Sequence, residues 1–343
     1  MRTILTTKQV RVNRLMDIEN RICLSDLKAY LNITLNKISI VVFLVLIAFP
    51  FEVSSQIDSG YVEVKNGVLF YRVWGEGDPV VFLNGGPGLG SNGYESYATA
   101  LEENRQVILF DQRGTGKSVQ HVDKRFTLNQ MTRDLELLRR HLGIDKWDIF
   151  GHSFGSLYAI YYILEYSENT DKVVLSAAPA AGEYSGGVSN FQNFKHPQPE
   201  NLTDLEIQLF YEFEDERKKP NANQERLYRL SAAMRARYYV SKPESYAPMA
   251  EWWLYKAEPC LPKYQLDLKM RLSTKKIKQR LRNFENEVLI IHGIGDFINV
   301  TNPLKNHEIF PNSKLKILSD AGHTMSIDSP KEYFEAINEF LTK

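Results

Sequence analysis

The sequence is poor in cysteine and has no surplus of charge, and both features narrow its function. It has 343 residues with two cysteines, and its formal net charge is zero. A chain without a basic surplus lacks the electrostatic signature of a nucleic-acid surface, so we expect no nucleic-acid partner. Hydrophobic residues make up 43% and charged residues 24%, which is typical of globular proteins and not of disordered or multi-pass membrane chains.

The N-terminal apolar run is too short for an ordinary membrane span. Residues 38–51 (ISIVVFLVLIAFPF) carry no charge, whereas a span needs about 20 apolar residues. The basic segment 1–37 precedes this run and small residues follow it, so we predict a secretory signal over 1–55, with cleavage before Gln56 and a periplasmic or envelope location. The alternatives are translation from Met16, an uncut membrane anchor, or a buried strand or helix.

Removal of the predicted signal leaves one cysteine. Cys23 lies within residues 1–55, and Cys260 remains. A single cysteine cannot form an internal disulfide, which is compatible with a bacterial envelope protein of this size. Cys260 stands between prolines in "EPCLP", without a histidine motif, and we interpret it as a packing residue.

Apolar runs separated by helix-like segments indicate a parallel sheet covered on both faces. A hairpin is predicted around Asn66-Gly67, and Thr127 with Gln130 forms a capping-box signal at the start of a helix. The predicted strands of this sheet are Val80–Leu83, Val107–Phe110, Trp147–Phe150, "KVVL" after Asp171, Val288–Ile291 and Leu315–Leu318. The sequence therefore predicts an α/β protein whose site lies beyond the carboxyl ends of these strands.

The strand–helix alternation stops for about a hundred residues in the second half of the chain. Aromatic and charged residues dominate residues 182–276, in stretches such as "FYEFEDERKKP" and "EWWLYK". We interpret residues 182–276 as a helical cap inserted into a core formed by 56–181 and 277–343. No internal repeat or low-complexity tract is present.

A serine stands between glycines where one predicted strand meets a helix. "GHSFG" at Gly151–Gly155 matches the nucleophile elbow, in which a tight turn exposes the serine and crowds the positions two residues before and after it. A serine hydroxyl needs a base, and the base needs an orienting acid. In this architecture the chain order is serine, acid, histidine, which Ser153, Asp296 and His323 satisfy at three strand ends.

The other candidates for the acid and the base have weaker positions. Asp320 and Asp328 flank His323 on its own loop, and Asp296 has the alternative role of capping a helix near Asn299. His323 has the alternative role of a loop histidine bonded to backbone. The remaining histidines are interpreted as structural: His152 supports the turn and His292 ends a strand, while His121, His141, His196 and His307 lack a strand-end context.

An oxyanion forms when serine attacks a carbonyl, and backbone N–H groups that face it contribute about 3 kcal/mol each. We assign one donor to Phe154, which follows the serine, and the other to Gly86 in "NGGPG". Glycine-rich loops also bind phosphate, but "GTGKS" at 114–118 lacks the first glycine of a P-loop. No nucleotide, metal or organic cofactor is expected.

Three motifs together resemble those of the proline iminopeptidases, serine peptidases of the α/β-hydrolase fold. They are "NGGPG" (84–88), "DQRGTGKS" (111–118) and "GHSFGS" (151–156), and the resemblance spans about residues 61–343. It implies removal of an N-terminal residue, often proline, by a triad of Ser153, Asp296 and His323 beneath a helical cap. Asn84 and Phe154 stand where the family usually has histidine and often tryptophan, which leaves the substrate open.

An aminopeptidase must also bind a free α-ammonium group, which calls for carboxylates. The resemblance implies glutamates on the cap, and Glu251 and Glu258 are the best candidates, seven residues apart near Trp252 and Tyr255. A solvated cap surface is the alternative interpretation for them. Glu212 and Glu214 are further candidates. Asn84 is a candidate substrate-binding residue, and it can also hold the loop by hydrogen bonding.

The remaining motif residues receive structural interpretations. We expect Asp111 and Arg113 to form a buried polar network beside the elbow, with substrate contact by Arg113 as the alternative, and the Gly86–Pro87 bond to be cis. The predicted function is an exported aminopeptidase that acts on a peptide or small-molecule substrate. An esterase, lactonase or small-amide hydrolase with the same triad is the first alternative, and a non-catalytic binding protein is the second.

Overall fold

A computed structural model describes residues 58–101, 103–120, 125–183, 203–257, 265–267 and 272–342. The predicted signal 1–55, Glu258 and Cys260 lie outside these residues. Eleven strands are found in the described ranges: β1 Asp58–Val64, β2 Gly67–Trp74, β3 Asp78–Leu83, β4 Arg105–Phe110, β5 Val119–Gln120, β6 Arg125–Thr127, β7 Trp147–His152, β8 Thr170–Ser176, β9 Gln265–Asp267, β10 Val288–Gly293 and β11 Ser313–Leu318.

Nine of these strands form one mostly parallel sheet, in agreement with the predicted fold class. Its order is β1-β2-β4-β3-β7-β8-β10-β11, and β5 pairs with β2. The pairs from β4 onward are parallel, whereas β1–β2 and β2–β4 are antiparallel. Since the parallel strands run the same way, the loops after β3, β4, β7, β10 and β11 meet at one edge. β6 and β9 form a separate two-stranded sheet.

The predicted hairpin is confirmed at the antiparallel edge. Val64 pairs with Gly67, and Asn66 between them has φ 59°. Asparagine tolerates this left-handed conformation better than most residues, which explains why the turn forms here.

The helices of the core cover both faces of the sheet, and three further helices among those described lie in the predicted cap. In chain order, the helices are α1 Glu95–Thr99, α2 Leu128–His141, α3 Phe154–Tyr166, α4 Asp204–Arg217, α5 Gln224–Met234, α6 Tyr246–Glu251, α7 Thr274–Leu281, α8 Thr301–Ile309, α9 Met325–Asp328 and α10 Pro330–Thr342. α2 begins where the sequence predicts, because the Thr127 side chain accepts a hydrogen bond from the Gln130 amide. Leu135 of α2 and Tyr158 of α3 pack in one core, and Ile337 of α10 packs in the other.

The described part of the predicted cap is mostly helical, with the short strand β9 as an exception. α4 begins with a capping box between Thr203 and Glu206, and α6 leads directly into a π-helical turn, Trp252–Lys256. These helices share an apolar cluster of their own. The Trp252 Nε1–H donates to the Gly93 carbonyl at 2.9 Å, which ties the π turn to the loop after β3. Across the described ranges no helix has the length and apolar character to cross a membrane.

Candidate active site

Ser153 stands in a strained turn between β7 and α3. Its backbone has φ 55° and ψ −120°, a conformation that costs on the order of 1–3 kcal/mol for a residue other than glycine. A Cβ atom on Gly151 would lie 2.5 Å from the Gly155 carbonyl oxygen, and one on Gly155 would overlap the Leu83 carbonyl. Both glycines are therefore required by the close approach of backbone around the serine.

The structure brings Ser153, His323 and Asp296 together in one hydrogen-bonded row. The His323 Nε2 atom lies 2.9 Å from Ser153 Oγ, and the His323 Nδ1 atom lies 2.8 Å from Asp296 Oδ1. The side chains of Asp296 and His323 are 0% and 4% exposed. With Nδ1–H donating to the carboxylate, Nε2 is left to accept the serine proton, which is the arrangement that activates a hydroxyl.

The loop that carries His323 is held by the rival acid Asp328. The Asp328 carboxylate accepts the Gly322 amide at 2.7 Å and the Ser241 amide at 2.8 Å. Its oxygens are therefore directed at backbone rather than at the imidazole. Asp320 is exposed, so the structure selects Asp296 as the carboxylate that contacts His323.

His152 lies beneath the catalytic row and is held as a neutral ring. Its Nδ1 atom lies 3.2 Å from Ser176 Oγ, which lies 2.7 Å from the Tyr333 hydroxyl. Burial lowers the pKa of His152 well below its usual value, and the nearby His323 lowers it further. Because His152 is neutral and bonded to Ser176, His323 is the histidine placed to accept the Ser153 proton. The predicted supporting role of His152 agrees with these contacts.

The "NGGPG" loop approaches the serine closely. A Cβ on Gly85 would lie 3.4 Å from Ser153 Cβ, and the Gly86–Pro87 bond is cis, as predicted. Phe154 is the first residue of α3, so its N–H is one of the helix-terminal donors that have no acceptor within the helix. The predicted oxyanion donors Gly86 and Phe154 thus lie on the two segments that border Ser153.

Asn84 holds this loop from within the protein. Its Nδ2 donates to the Leu89 carbonyl at 2.8 Å and to the Gly85 carbonyl at 3.2 Å. Gln112 Nε2 donates to the Asn84 carbonyl at 3.0 Å. Because Asn84 is fully buried, these bonds make it a support of the loop and not a substrate contact, which corrects the predicted substrate-binding role.

Replacing Asn84 by alanine is expected to lower kcat/KM by about tenfold, because the loop that borders Ser153 loses its internal anchor. The free energy of unfolding should fall by about 1–3 kcal/mol, since buried carbonyls lose their donor. Asn92→Ala is the matched control, because the Asn92 bond to the Lys256 carbonyl is long and exposed. Equal kinetics for both variants, measured on one ester with urea unfolding alongside, would contradict this role.

The "DQRG" residues form two separate polar clusters rather than one. The Asp111 carboxylate accepts the Ser91 amide at 2.6 Å and the Lys117 amide at 2.8 Å. Arg113 makes a two-pronged pair with Asp134, with both nitrogen–oxygen distances 2.7 Å. The Arg113 side chain is 0% exposed and is committed to Asp134, so the alternative of substrate contact is not supported by its position.

A cavity of about 270 Å³ opens over Ser153 and His323. Its wall is strongly aromatic, with side chains from the region after β3 and from the predicted cap. These are Tyr94, Tyr97, Tyr228, Tyr239, Trp252 and Trp253. Tyr239 also packs edge-on against His323, with ring centroids 5.9 Å apart. Sequence patterns do not single out Tyr94, Tyr228 or Tyr239, because their cap and loop positions become neighbours only through tertiary folding.

The described members of the predicted ammonium-binding set, Glu251, Glu212 and Glu214, do not line this cavity. Glu251 and Glu212 line a different cleft of about 230 Å³, and Glu212 pairs there with Arg226 at 2.9 Å. Glu214 pairs with Arg217 at 2.7 Å. Glu251 is exposed at the end of α6, and its place on the second cleft does not support the predicted contact with the substrate amine. Glu258 is outside the described residues.

No group of three or more metal-ligating side chains occurs within the ranges described. The arrangement around Ser153 instead offers a nucleophile, a base, an orienting acid and an enclosed aromatic cavity. These are the parts required for acyl transfer through serine.

The family to which the chain belongs follows from its sequence as well as from this geometry. Residues 78–330 match the family described as alpha/beta hydrolase fold. The match covers well over half of the chain, which therefore belongs to the alpha/beta hydrolase family. An esterase from Exiguobacterium antarcticum has the same fold, with a TM-score of 0.58 and 19% identity over 82% of this chain and 99% of that one.

Curated relatives confirm the resemblance to proline iminopeptidases. The proline iminopeptidase of Clostridioides difficile (strain 630) is 38% identical over 116 residues, which are 32% of this chain and 40% of the relative. The proline iminopeptidase of Heyndrickxia coagulans is 24% identical over 296 residues, which are 82% of this chain and 98% of the relative. The chain thus spans less than half the length of the Clostridioides difficile relative, which has the higher identity of the two.

Proposed function

We propose that this protein is a serine hydrolase that releases an N-terminal residue from peptides through an acyl-enzyme. The observation that carries the proposal is the row of Ser153, His323 and Asp296, with donor–acceptor distances of 2.9 and 2.8 Å. The row ends at an enclosed cavity where a carbonyl can meet the serine.

In the proposed reaction the Ser153 oxygen attacks the substrate carbonyl while its proton passes to His323 Nε2. Asp296 holds the imidazole in the required orientation and stabilises the imidazolium. His323 then returns the proton to the leaving amine. A water molecule repeats the sequence on the acyl-enzyme, and the acid is released.

The negative oxygen of the tetrahedral intermediate needs donors that are already in place. We assign these to the N–H groups of Gly86 and Phe154, each worth about 3 kcal/mol in such sites. Phe154 opens α3, so the helix macrodipole adds a positive potential at the same point.

Similarity to proline iminopeptidases supports an N-terminal peptide substrate. The relatives share stretches of the chain and, at lower identity, most of its length. The aromatic wall of the cavity suits a small apolar side chain or ring, because such walls exclude water and offer apolar contact. We further propose that the substrate is met outside the cytoplasm, after removal of residues 1–55.

An esterase or small-amide hydrolase is the second candidate, favoured by the aromatic and apolar lining of the cavity. Among the described residues that line it none is Asp or Glu, whereas Tyr94, Tyr228 and Met249 contribute apolar surface. A buried α-ammonium group needs a carboxylate partner, whereas a neutral acyl group does not.

Hydrolysis rates on matched substrates test the two candidates. The substrates are the p-nitroanilides of proline, alanine and leucine, N-acetylated alanine p-nitroanilide, and p-nitrophenyl butyrate. For the aminopeptidase we expect kcat/KM at least about tenfold higher for free than for acetylated alanine anilide, because the recognised ammonium is lost on acetylation. Rapid ester cleavage without release from any free aminoacyl anilide would overturn the aminopeptidase and favour the second candidate.

A further inference from the structure

His292, at the end of β10, supports the loop that carries the triad acid. A carbonyl only accepts, so the His292 Nε2–H donates to the Ile298 carbonyl at 2.9 Å. The Ile298 amide in turn donates to Asp296 Oδ1 at 2.8 Å. Both backbone polar groups of Ile298 are thus engaged, one by the strand and one by the carboxylate. This links the orientation of Asp296 to the imidazole of His292.

The other nitrogen of the same ring faces the other oxygen of the same carboxylate without bonding to it. His292 Nδ1 and Asp296 Oδ2 are buried, and neither has a hydrogen-bond partner within the described part of the chain. They lie 3.7 Å apart, beyond hydrogen-bond range. With the proton of the neutral ring on Nε2, a lone pair on Nδ1 faces the carboxylate, and one added proton would convert this contact into a charge-assisted bond.

We propose that His292 is a positioning residue for Asp296. When neutral, His292 anchors the loop that carries Asp296, and when protonated it competes with His323 for the Asp296 carboxylate. The inference rests on the proposed function, because it concerns the triad acid of that mechanism. It adds a second histidine, His292, that acts on the carboxylate of Asp296. The neutral ring is the working state.

The electrostatic surroundings favour the neutral ring near pH 7. Burial lowers the pKa of His292, the charge of Asp296 and the Ile298 carbonyl oppose this, and His323 lowers it further. Asp296 and His323 are the titratable groups that act on the ring among the described residues. The shift is downward from the ordinary value of about 6.5, so the ring takes up its proton below that pH.

Protonation of His292 should weaken the serine row for an electrostatic reason. A cation beside Asp296 offsets the negative charge that stabilises the His323 imidazolium. Protonation of His323 removes the base directly. Protonation of His292 and protonation of His323 therefore both weaken the Ser153 nucleophile. Activity should fall more steeply with decreasing pH than it would with a single base.

Labelling by diisopropyl fluorophosphate tests this without a known substrate. In this reaction a Ser153 Oγ–P bond forms, the P–F bond breaks, fluoride leaves and the serine proton passes to His323. The logarithm of the labelling rate, followed by intact mass between about pH 4.5 and 8, should approach a slope of about 2 in acid for the wild type. Circular dichroism at each pH confirms that the chain is folded.

The variants separate anchoring from titration. His292→Gln keeps an amide donor for the Ile298 carbonyl but cannot be protonated, so its slope should fall to about 1 and its rate at pH 8 stay within about threefold of wild type. His292→Leu loses the anchor, and its rate at pH 8 should fall by about 10- to 100-fold. His307→Gln removes an exposed histidine and should keep the steep slope.

A slope of about 1 in the wild type, or an unchanged slope in His292→Gln, would overturn the inference. If His292→Gln does not fold, His292→Asn gives the same comparison of slopes. A wild type that is not labelled at Ser153 at any pH would instead count against the proposed serine mechanism itself. The two failures are therefore distinguishable in one experiment.

Discussion

Replacing Ser153 by alanine is expected to lower kcat on any cleaved substrate by about 10⁴-fold or more, the loss typical when a catalytic serine is removed. Without Oγ no acyl-enzyme forms, and His323 has no hydroxyl to deprotonate. The alanine leaves Gly151 and Gly155 in place, so the turn itself is retained. Binding of substrate in the aromatic cavity should change little, which means that the loss should appear in kcat and not in KM.

The matched control is Ser96→Ala, which removes a hydroxyl from the same cavity wall but not from the catalytic row. It should retain kcat within about threefold, as surface substitutions away from reacting groups usually do. Burst kinetics with a p-nitrophenyl ester would report the acyl-enzyme directly in the wild type. Full activity of Ser153→Ala, at matched protein purity, would contradict the nucleophile assignment.

The meeting of Ser153, Asp296 and His323 was predictable because it follows from sheet topology. Ser153 and Asp296 follow apolar runs without alternation, which indicate buried parallel strands, and His323 follows the partly buried edge strand β11. The carboxyl ends of parallel strands share one edge, so residues far apart in sequence meet there. The elbow was predictable for a steric reason, since only glycines fit at the positions two residues before and after the serine.

The wall of the cavity was not predictable in the same way. The interpretation of Glu251 with Glu258 assumed one continuous α-helix, whereas α6 ends at Glu251 and a π turn follows. The amphipathic pattern of α4 is weak, and spacing alone did not reveal which cap side chains face Ser153. Tyr228 and Tyr239 reach the cavity through helix packing, which local sequence does not encode.

The contact between His292 and Asp296 was only partly predictable from the sequence. Both residues belong to one short stretch, "HGIGD", and their spacing of four was visible in the sequence. The spacing did not reveal that the ring nitrogen and the carboxylate oxygen would face each other without bonding. Such a relation depends on side-chain rotation at the few-tenths-of-an-ångström level, which sequence patterns do not report.

Gly155→Ala is expected to lower the free energy of unfolding by about 4 kcal/mol or more, in the range of severe core lesions. The added Cβ would overlap the carbonyl oxygen of Leu83 and approach its carbonyl carbon. Both are backbone atoms of β3, so no side chain can rotate away. Either α3 or the end of β3 must move, and both carry groups that border Ser153. Labelling of Ser153 should therefore fall together with stability.

Gly143→Ala separates this overlap from the general cost of replacing a glycine. Gly143 has φ 68°, and a Cβ there would meet nothing within 4 Å. That variant should lose only about 1–2 kcal/mol, the cost of a left-handed backbone conformation, and its labelling rate should match the wild type. Urea unfolding gives the stability difference for each. Equal losses of unfolding free energy in Gly155→Ala and Gly143→Ala would mean that the turn around Ser153 accommodates a methyl group. The close approach of β3 to α3 would then not explain why position 155 is glycine.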